Sequence, residues 1–286
     1  MSDAVGGPQP NVQEGIEYWN TQPASLDGVL GGYGSGSLPR VDALGSRLFL
    51  LNLYPQLSTV PSAFRALDAP TDPPRTRALD VGAGIGRVTA DVLLYLVSDV
   101  TILEPVESFV QEALSRARNS ASGLLSTGAW PGLADGSKSV TILQGTLQEF
   151  HPLVPHHAHF LDRVGFQSLS PSEIGLGFDV IWCQWCLGHL SDPELVAFLK
   201  RCYESLKKHP KALIVVKENI CSDGQDGSGQ EVFDEQDSSL TRPVVSDLAW
   251  KKMFKEAGLR LVREQVQEGL PEGLFVVKMC VTRSSF

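Results

Sequence analysis

Long apolar runs are missing from this 286-residue sequence. No window approaches eighteen consecutive apolar residues, so no membrane-spanning helix is expected. The opening residues, MSDAVGGPQPNVQEG, have neither a basic n-region nor an apolar h-region, and no secretory signal is expected. Cysteine is sparse: five residues without framework spacing fit a reducing compartment and exclude a disulfide-stapled scaffold. Positive charge is in deficit, with 24 Lys and Arg against 33 Asp and Glu, a formal net charge of −9 and a sequence pI near 5.2. Gripping a phosphate backbone takes a basic face, so nucleic acid is not an expected partner. The acidic balance suits a cationic partner, although solubility alone accounts for it equally well.

What is present is ordinary in amount and informative in order. Apolar content of 42 % and charged content of 20 % match a globular chain, and the length allows one large α/β domain. Residues 12–22, VQEGIEYWNTQ, place Ile16 and Trp19 at helical spacing. DGVLGGYGSGS (27–37) is too glycine-rich for regular structure, and a helix is expected over about 40–54. The proline-rich stretch around Asp72, Pro73 and Pro74 reads as a linker stopping before the first strand. Strands are then expected at RALDVGAG, VTILEP, SVTILQG, FDVIWCQW, KALIVVKEN, LRLVREQVQ and LFVVKMCVT. Helices fill four of the five intervals between the first six, beginning near Arg87 and covering 106–121, 194–206 and 246–257; the second insertion fills the interval after the third strand. Such alternation predicts a doubly wound, seven-stranded, mostly parallel sheet. The last two strands have only EGLPEG between them, too short for a crossover helix, and should pair antiparallel. The organisation is therefore an N-terminal helical extension and loop (1–75) before an α/β domain (76–286), with insertions at about 119–139 and 151–175.

LDVGAGIGR ends the first strand. Asp80 precedes Gly82, Gly84 and Gly86, and Arg87 opens the next helix. Glycines there allow a sharp turn and close approach to a ligand. A dinucleotide site has G-x-G-x-x-G; the tighter G-x-G-x-G here favours a ligand without phosphates, such as S-adenosylmethionine. Glu104, ending the second strand, is placed to accept from ribose hydroxyls, and GTLQEF after the third lies where an adenine edge would be. A surface carboxylate capping the next helix is the plain alternative for Glu104 alone.

IWCQWCLGHLSD (181–192) spaces Cys183, Cys186 and His189 at intervals of three, which suggests a metal. A fourth ligand is missing and no second CxxC exists, so buried, inert thiols are expected and no metal. His189 taken alone serves equally as a cap before the helix that follows. If the strand alternates regularly, Gln184 and Trp185 point to opposite faces, one to a cofactor and one to an acceptor. His151, His156, His157 and His159 fall in a proline-interrupted insertion and read as a solvated tract.

Six segments in order, YWNTQPASLDGVLGGYG, LDVGAGIGRVT, IWCQWCLGHLSD, VVKEN, DEQDSS and GLPEGLF, carry a specific resemblance. Together they resemble the protein α-N-terminal methyltransferases, and the chain looks like a divergent, fungal-like member with two insertions. The resemblance implies a Rossmann-like class I S-adenosylmethionine-dependent methyltransferase that methylates the α-amino group of proteins beginning X-Pro-Lys/Arg after removal of Met. It implies that Gly82, Gly84, Arg87, Glu104, Leu147, Gln148 and Gln184 hold S-adenosylmethionine, with Arg87 on its carboxylate. Trp19, Leu30, Gly31, Trp185, Asn219, Asp234 and Ser239 would bind the peptide, and His189 and Asp237 would accept the proton. Glu104 stands where the family usually has Asp, and Phe275 where it has a peptide-contacting Tyr. A monomer in the cytoplasm and the nucleus is expected. The rival readings are a small-molecule methyltransferase on the same fold and a non-catalytic cofactor-binding module.

Overall fold

β-Branched runs buried on both faces need helices on both sides of the sheet, and the chain supplies them. The computed structural model describes residues 7–58, 75–125, 127–154, 157–167, 177–221, 232–243 and 247–284. Strands β1 (Arg77–Val81), β2 (Asp99–Glu104), β3 (Ser139–Gln144), β5 (Val180–Gln184) and β6 (Leu213–Cys221) form the parallel centre. β9 (Leu259–Val266) and β10 (Val276–Ser284) form the antiparallel hairpin that the short connection required, with β10 against β6. These are the seven expected strands.

Three more were not expected. β4 (His159–Gly165) arises inside the second insertion and lies antiparallel on β3. β7 (Val232–Asp234) and β8 (Ser239–Pro243) form a small hairpin whose β8 joins β6. The main order is β4-β3-β2-β1-β5-β6-β10-β9. β4 escapes a period-two reading because it is an edge strand with one buried residue, Val164, so little of its pattern faces a core.

The helices are α1 (Val12–Thr21), α2 (Leu26–Val29), α3 (Leu38–Leu53), α4 (Leu94–Leu96), α5 (Glu107–Ala121), α6 (Asp192–Glu204) and α7 (Asp247–Glu256). Two differ from expectation. The glycine-rich loop begins with the single turn α2, which forms because the Ser25 hydroxyl caps the Gly28 amide at 3.1 Å. The helix after Arg87 is a π-turn over Thr89–Leu93 running into α4, a local widening common beside functional sites.

Alternation divides the core between two faces. On β5, Val180 and Trp182 face the layer of α3 and α5, while Ile181 and Cys183 face α6 and α7. Phe49 and Leu50 of α3 are fully buried with Trp182, which makes this helix part of the main core. The first insertion is ordered where described: Trp130 and Leu133 are buried beside the same cluster. Asp72, Pro73, Pro74 and His156 lie outside the described residues.

Candidate active site

At the carboxyl end of β1 the glycine turn bends with Gly82 at φ 60°, Gly84 at φ 56° and Gly86 at φ 79°, conformations L side chains rarely adopt. Space adds a second constraint. A Cβ on Gly82 would stand 2.4 Å from Cys186 Cβ, and one on Gly86 2.4 Å from the Trp130 ring. A Cβ on Gly84 would meet nothing closer than Val29, 3.6 Å away on the wall of the same cleft.

Glu104 faces this turn. Its Oε2 accepts from the Gly84 amide at 2.7 Å and its Oε1 from the Val106 amide at 2.9 Å. A carboxylate has about four lone-pair sites, so both oxygens keep capacity for a further donor. Burial pushes the Glu104 pKa up to about 7 despite those two bonds. Asp80, also on the wall, accepts from the Thr89 hydroxyl at 2.6 Å, and burial raises its pKa to about 6.

Behind the wall is a buried charge cluster. Asp42 of α3 accepts from Arg87 Nη1 through Oδ2 at 2.5 Å and meets Lys217 Nζ through Oδ1 at 2.5 Å. The same Oδ1 accepts from Gln184 Nε2 at 2.9 Å, and Gln184 Oε1 accepts from the Trp182 indole at 3.0 Å. Burial pushes the Asp42 carboxyl up, but Arg87 and Lys217 outweigh it and hold it below the usual carboxylate range.

Val12, Gly15, Ile16 and Trp19 of α1 line the same cleft, with Trp185 and His189. Trp185 follows β5 with φ 55°, a strained value for a bulky residue. This turn breaks the alternation expected of Gln184 and Trp185, and both face the same cleft. Glu218 Oε1 holds the turn by accepting from the Cys186 and Leu187 amides at 3.0 and 2.9 Å. Arg242 of β8 donates to the Leu187 and Leu190 carbonyls at 3.3 and 2.7 Å, and Gln148 Nε2 to the His189 carbonyl at 3.1 Å.

Three buried polar atoms here have no hydrogen-bond partner: Trp185 Nε1, His189 Nδ1 and Asp237 Oδ1. Such orphans are rare and costly. A Cβ on Gly15 would lie 3.1 Å from both His189 Nδ1 and the Asp237 carbonyl oxygen, so α1 closes over this corner. Burial lowers the His189 pKa against the pull of Asp237. Burial raises that of Asp237, which Ser239 and His189 partly oppose. A neutral imidazole and a carboxyl of raised pKa can each accept a proton.

The AdoMet dependent proline di-methyltransferase family profile matches residues 8–283. The chain belongs to this family. A Schizosaccharomyces pombe relative named alpha N-terminal protein methyltransferase 1 is 34 % identical over 95 % of each chain. A Xenopus tropicalis relative named N-terminal Xaa-Pro-Lys N-methyltransferase 1 is 32 % identical over 91 % of this chain and 90 % of that one. A solved SAM-dependent methyltransferase from Leishmania major superposes with TM-score 0.63 at 30 % identity, covering 95 % of this chain and 82 % of that chain. A Burkholderia thailandensis methyltransferase at 17 % identity, with TM-score 0.56, shares the fold. The cofactor of the family is S-adenosylmethionine, and the left-handed glycines, the buried Glu104 and the Arg87-lined cleft fit it.

All the residues expected at the cofactor, Gly82, Gly84, Arg87, Glu104, Leu147, Gln148 and Gln184, line one cleft, as do Trp19, Trp185 and His189 of the expected acceptor set. The others sit off its wall. Leu30 is buried next to the lining Val29, and Gly31 follows at φ 57°. Asn219 is half-buried on β6, Asp234 is exposed on β7, and Ser239 hydrogen-bonds Asp237. His189 lies in a 3₁₀ turn and does not cap α6; Ser191 does, in a capping box with Glu194. The Cys183 and Cys186 thiols are buried, which pushes both pKa values well up, and both behave as core residues. Among the described residues no three His, Cys, Asp or Glu are grouped to hold an ion.

Sequence reasoning missed Asp42, Lys217, Glu218 and Arg242. A signal existed for the first three. Asp42 and Ser46 occupy the buried stripe of α3 at the spacing of Leu38 and Phe49, and Lys217–Glu218 interrupts an apolar central strand. Charge at a core position asks for a partner.

Proposed function

We propose that this methyltransferase modifies the α-amino group of proteins beginning X-Pro-Lys or X-Pro-Arg, exposed by removal of the initiator Met. We propose further that it works as a monomer in the cytoplasm and nucleus. One observation carries the acceptor assignment: Trp185 Nε1 and His189 Nδ1 on the cleft wall, and Asp237 Oδ1 beside His189, are all buried and unpartnered. A donor-rich, cationic amine entering there gives the two acceptors among them, His189 Nδ1 and Asp237 Oδ1, a partner. The names of the yeast and frog relatives support the same substrate class. Five buried cysteines suit a reducing compartment.

Each side chain has a task in this reading. Glu104 accepts from the ribose hydroxyls, Arg87 meets the cofactor carboxylate, and Leu147 and Gln148 border the adenine. Trp19 and Trp185 offer flat faces to the proline ring and the methylated cation, a contact worth about 0.5–2 kcal/mol. Leu30, Gly31, Asn219 and Ser239 border the peptide, and Asp234 pairs with its third, basic residue. When bound, S-adenosylmethionine supplies an electrophilic methyl group.

The protein's own part is to deliver a neutral amine. An α-amino group with pKa near 7.7–8.0 costs only about 1 kcal/mol to deprotonate at pH 7, against about 4.6 for a lysine side chain. A modest base is therefore enough, and Asp237 and His189, directly or through water, take the proton. Proline at the second position lacks an amide N–H, so a ring-walled channel leaves no donor stranded.

Mass spectrometry of an SPKR-type peptide incubated with enzyme and S-adenosylmethionine tests this. Fragmentation should place every added methyl on the first residue. Methylation of small amines with indifference to the peptide would favour a metabolite enzyme instead.

A further inference from the structure

Arg87 does not reach the cleft alone. Its guanidinium is held from behind by Asp42, a fully buried residue of α3 in the N-terminal extension. We infer that Asp42 is a positioning residue for cofactor recognition, fixing Arg87 so that the rest of its N–H fork presents to the carboxylate of S-adenosylmethionine. This rests on the reading above in which Arg87 meets that carboxylate.

Geometry comes first. Asp42 Oδ2 takes Arg87 Nη1 at 2.5 Å, and Asp42 Oδ1 takes Lys217 Nζ at 2.5 Å and Gln184 Nε2 at 2.9 Å. Lys217 is saturated on its far side by Ser46 Oγ at 2.9 Å and Gln267 Oε1 at 3.1 Å. Arg87 has five N–H donors, and the bond to Asp42 uses one of them. Its Cζ lies 5.3 Å from the Trp185 ring centroid, so the side chain is wedged between Asp42 and the acceptor wall. A long, flexible arginine becomes a preorganised donor only when held in this way.

Charge gives the second argument. Arg87, Lys217 and Asp42 together carry one net positive charge, with side-chain exposures of 6 %, 0 % and 0 %. A buried cation without a counter-ion is costly. Asp80 lies on the same wall, but its Oδ2 is committed to the Thr89 hydroxyl at 2.6 Å and burial raises its pKa to about 6. Asp91 is within electrostatic reach of Arg87 as well, but burial also pushes its carboxyl up, so Arg87 and Lys217 are opposed most directly by Asp42 alone. A cofactor carboxylate would leave two cations facing two anions.

The test compares two ligands by calorimetry on the full chain: S-adenosylhomocysteine, and its decarboxylated analogue with an aminopropyl chain. The wild type should prefer the carboxylate-bearing ligand by about ten- to a hundredfold. Asp42→Asn adds a net positive charge that alone would favour the carboxylate. Loss of the anchor should still reduce that preference to about threefold or less while leaving affinity for the decarboxylated analogue nearly unchanged. The Asp42→Asn/Lys217→Met double variant keeps the net charge and should lose the preference equally, because the anchor is gone. It also serves if the single variant does not fold. Retention of the wild-type preference in a folded variant, or equal loss of affinity for both ligands, would overturn the role of Asp42. A wild type without any preference would instead refute the Arg87 reading itself.

Discussion

The two ends of the cleft are built from the same strand edge but finished differently. At the cofactor end the charged and amide side chains are partnered within the protein: Glu104 takes two amides, Asp80 the Thr89 hydroxyl, and Arg87 and Gln184 both bond to Asp42. At the acceptor end Trp185 Nε1, His189 Nδ1 and Asp237 Oδ1 are buried with none. The first end is preorganised before any ligand arrives, and the second keeps its hydrogen-bonding capacity open. The difference follows from connectivity. The cofactor end draws mainly on the consecutive strand-turn units β1 through β3, to which Gln184 of β5 and Asp42 of α3 are added. The acceptor corner needs α1, the turn after β5 and the β7–β8 hairpin, and is tied together by long-range bonds such as that from the Asn11 amide to Ser238 Oγ at 2.9 Å.

If the acceptor end is the chemical one, its carboxylates should dominate turnover and leave the cofactor alone. Asp237→Asn should lower kcat/KM for an SPKR-type peptide by about a hundredfold or more, the size of lost acid–base assistance. Asp234→Asn should cost about tenfold, since that exposed carboxylate pairs only with the third residue. Unchanged affinity for S-adenosylhomocysteine in both variants would keep the two ends separate; weakened affinity would merge them.

The converse applies to Glu104. Glu104→Ala should weaken S-adenosylhomocysteine by about 1–3 kcal/mol, because two backbone amides and the ribose hydroxyls lose their acceptor. Undiminished affinity in that variant would remove the ribose assignment. A pH effect sharpens it. The pKa of Glu104 without ligand is raised to about 7, and ribose donors favour the ionised form. Binding should therefore release protons, and affinity should fall as pH drops from 8 to 6. Calorimetry in buffers of different ionisation enthalpy measures this, and Glu104→Gln should flatten the dependence.

An effect on stability alone, not on turnover, concerns the clamp between the ends. Burial raises the pKa of Glu218 to about 7 from an ordinary 4.5. The folded state binds that proton more tightly than the unfolded chain does. Its stabilising contribution is therefore present below about pH 4.5 and lost as pH rises through 7. Glu218→Gln keeps the oxygen that both amides use and removes the titration. It should make stability to denaturant less pH-dependent between 5 and 8, gaining about 1–3 kcal/mol over wild type at pH 8. A curve unchanged from the wild type would mean that Glu218 carries its charge without cost.

What could be read from the sequence follows the same divide. The glycine turn, Glu104 and Gln184 sit at ends of strands whose alternation with helices announces them, and all fall where expected. Trp185 did not follow the strand period, because its left-handed backbone turns it back toward the cleft. The β7–β8 hairpin was not legible because its strands of three and five residues show too little alternation to register. The Asp42–Arg87 pair joins residues 45 positions apart, and only the buried stripe of α3 hinted that a charge there needed a partner.

The most direct test of the acceptor is a rate comparison between an SPKR-type peptide with a free amino terminus and the same peptide acetylated there. Acetylation removes the only amine lone pair placed at Trp185, His189 and Asp237, and leaves the proline and both basic residues intact. Methyl transfer to the acetylated peptide should be undetectable under conditions where the free peptide is fully converted. Transfer at the same rate to both would mean that the methyl goes to a side-chain nitrogen, and would contradict the account.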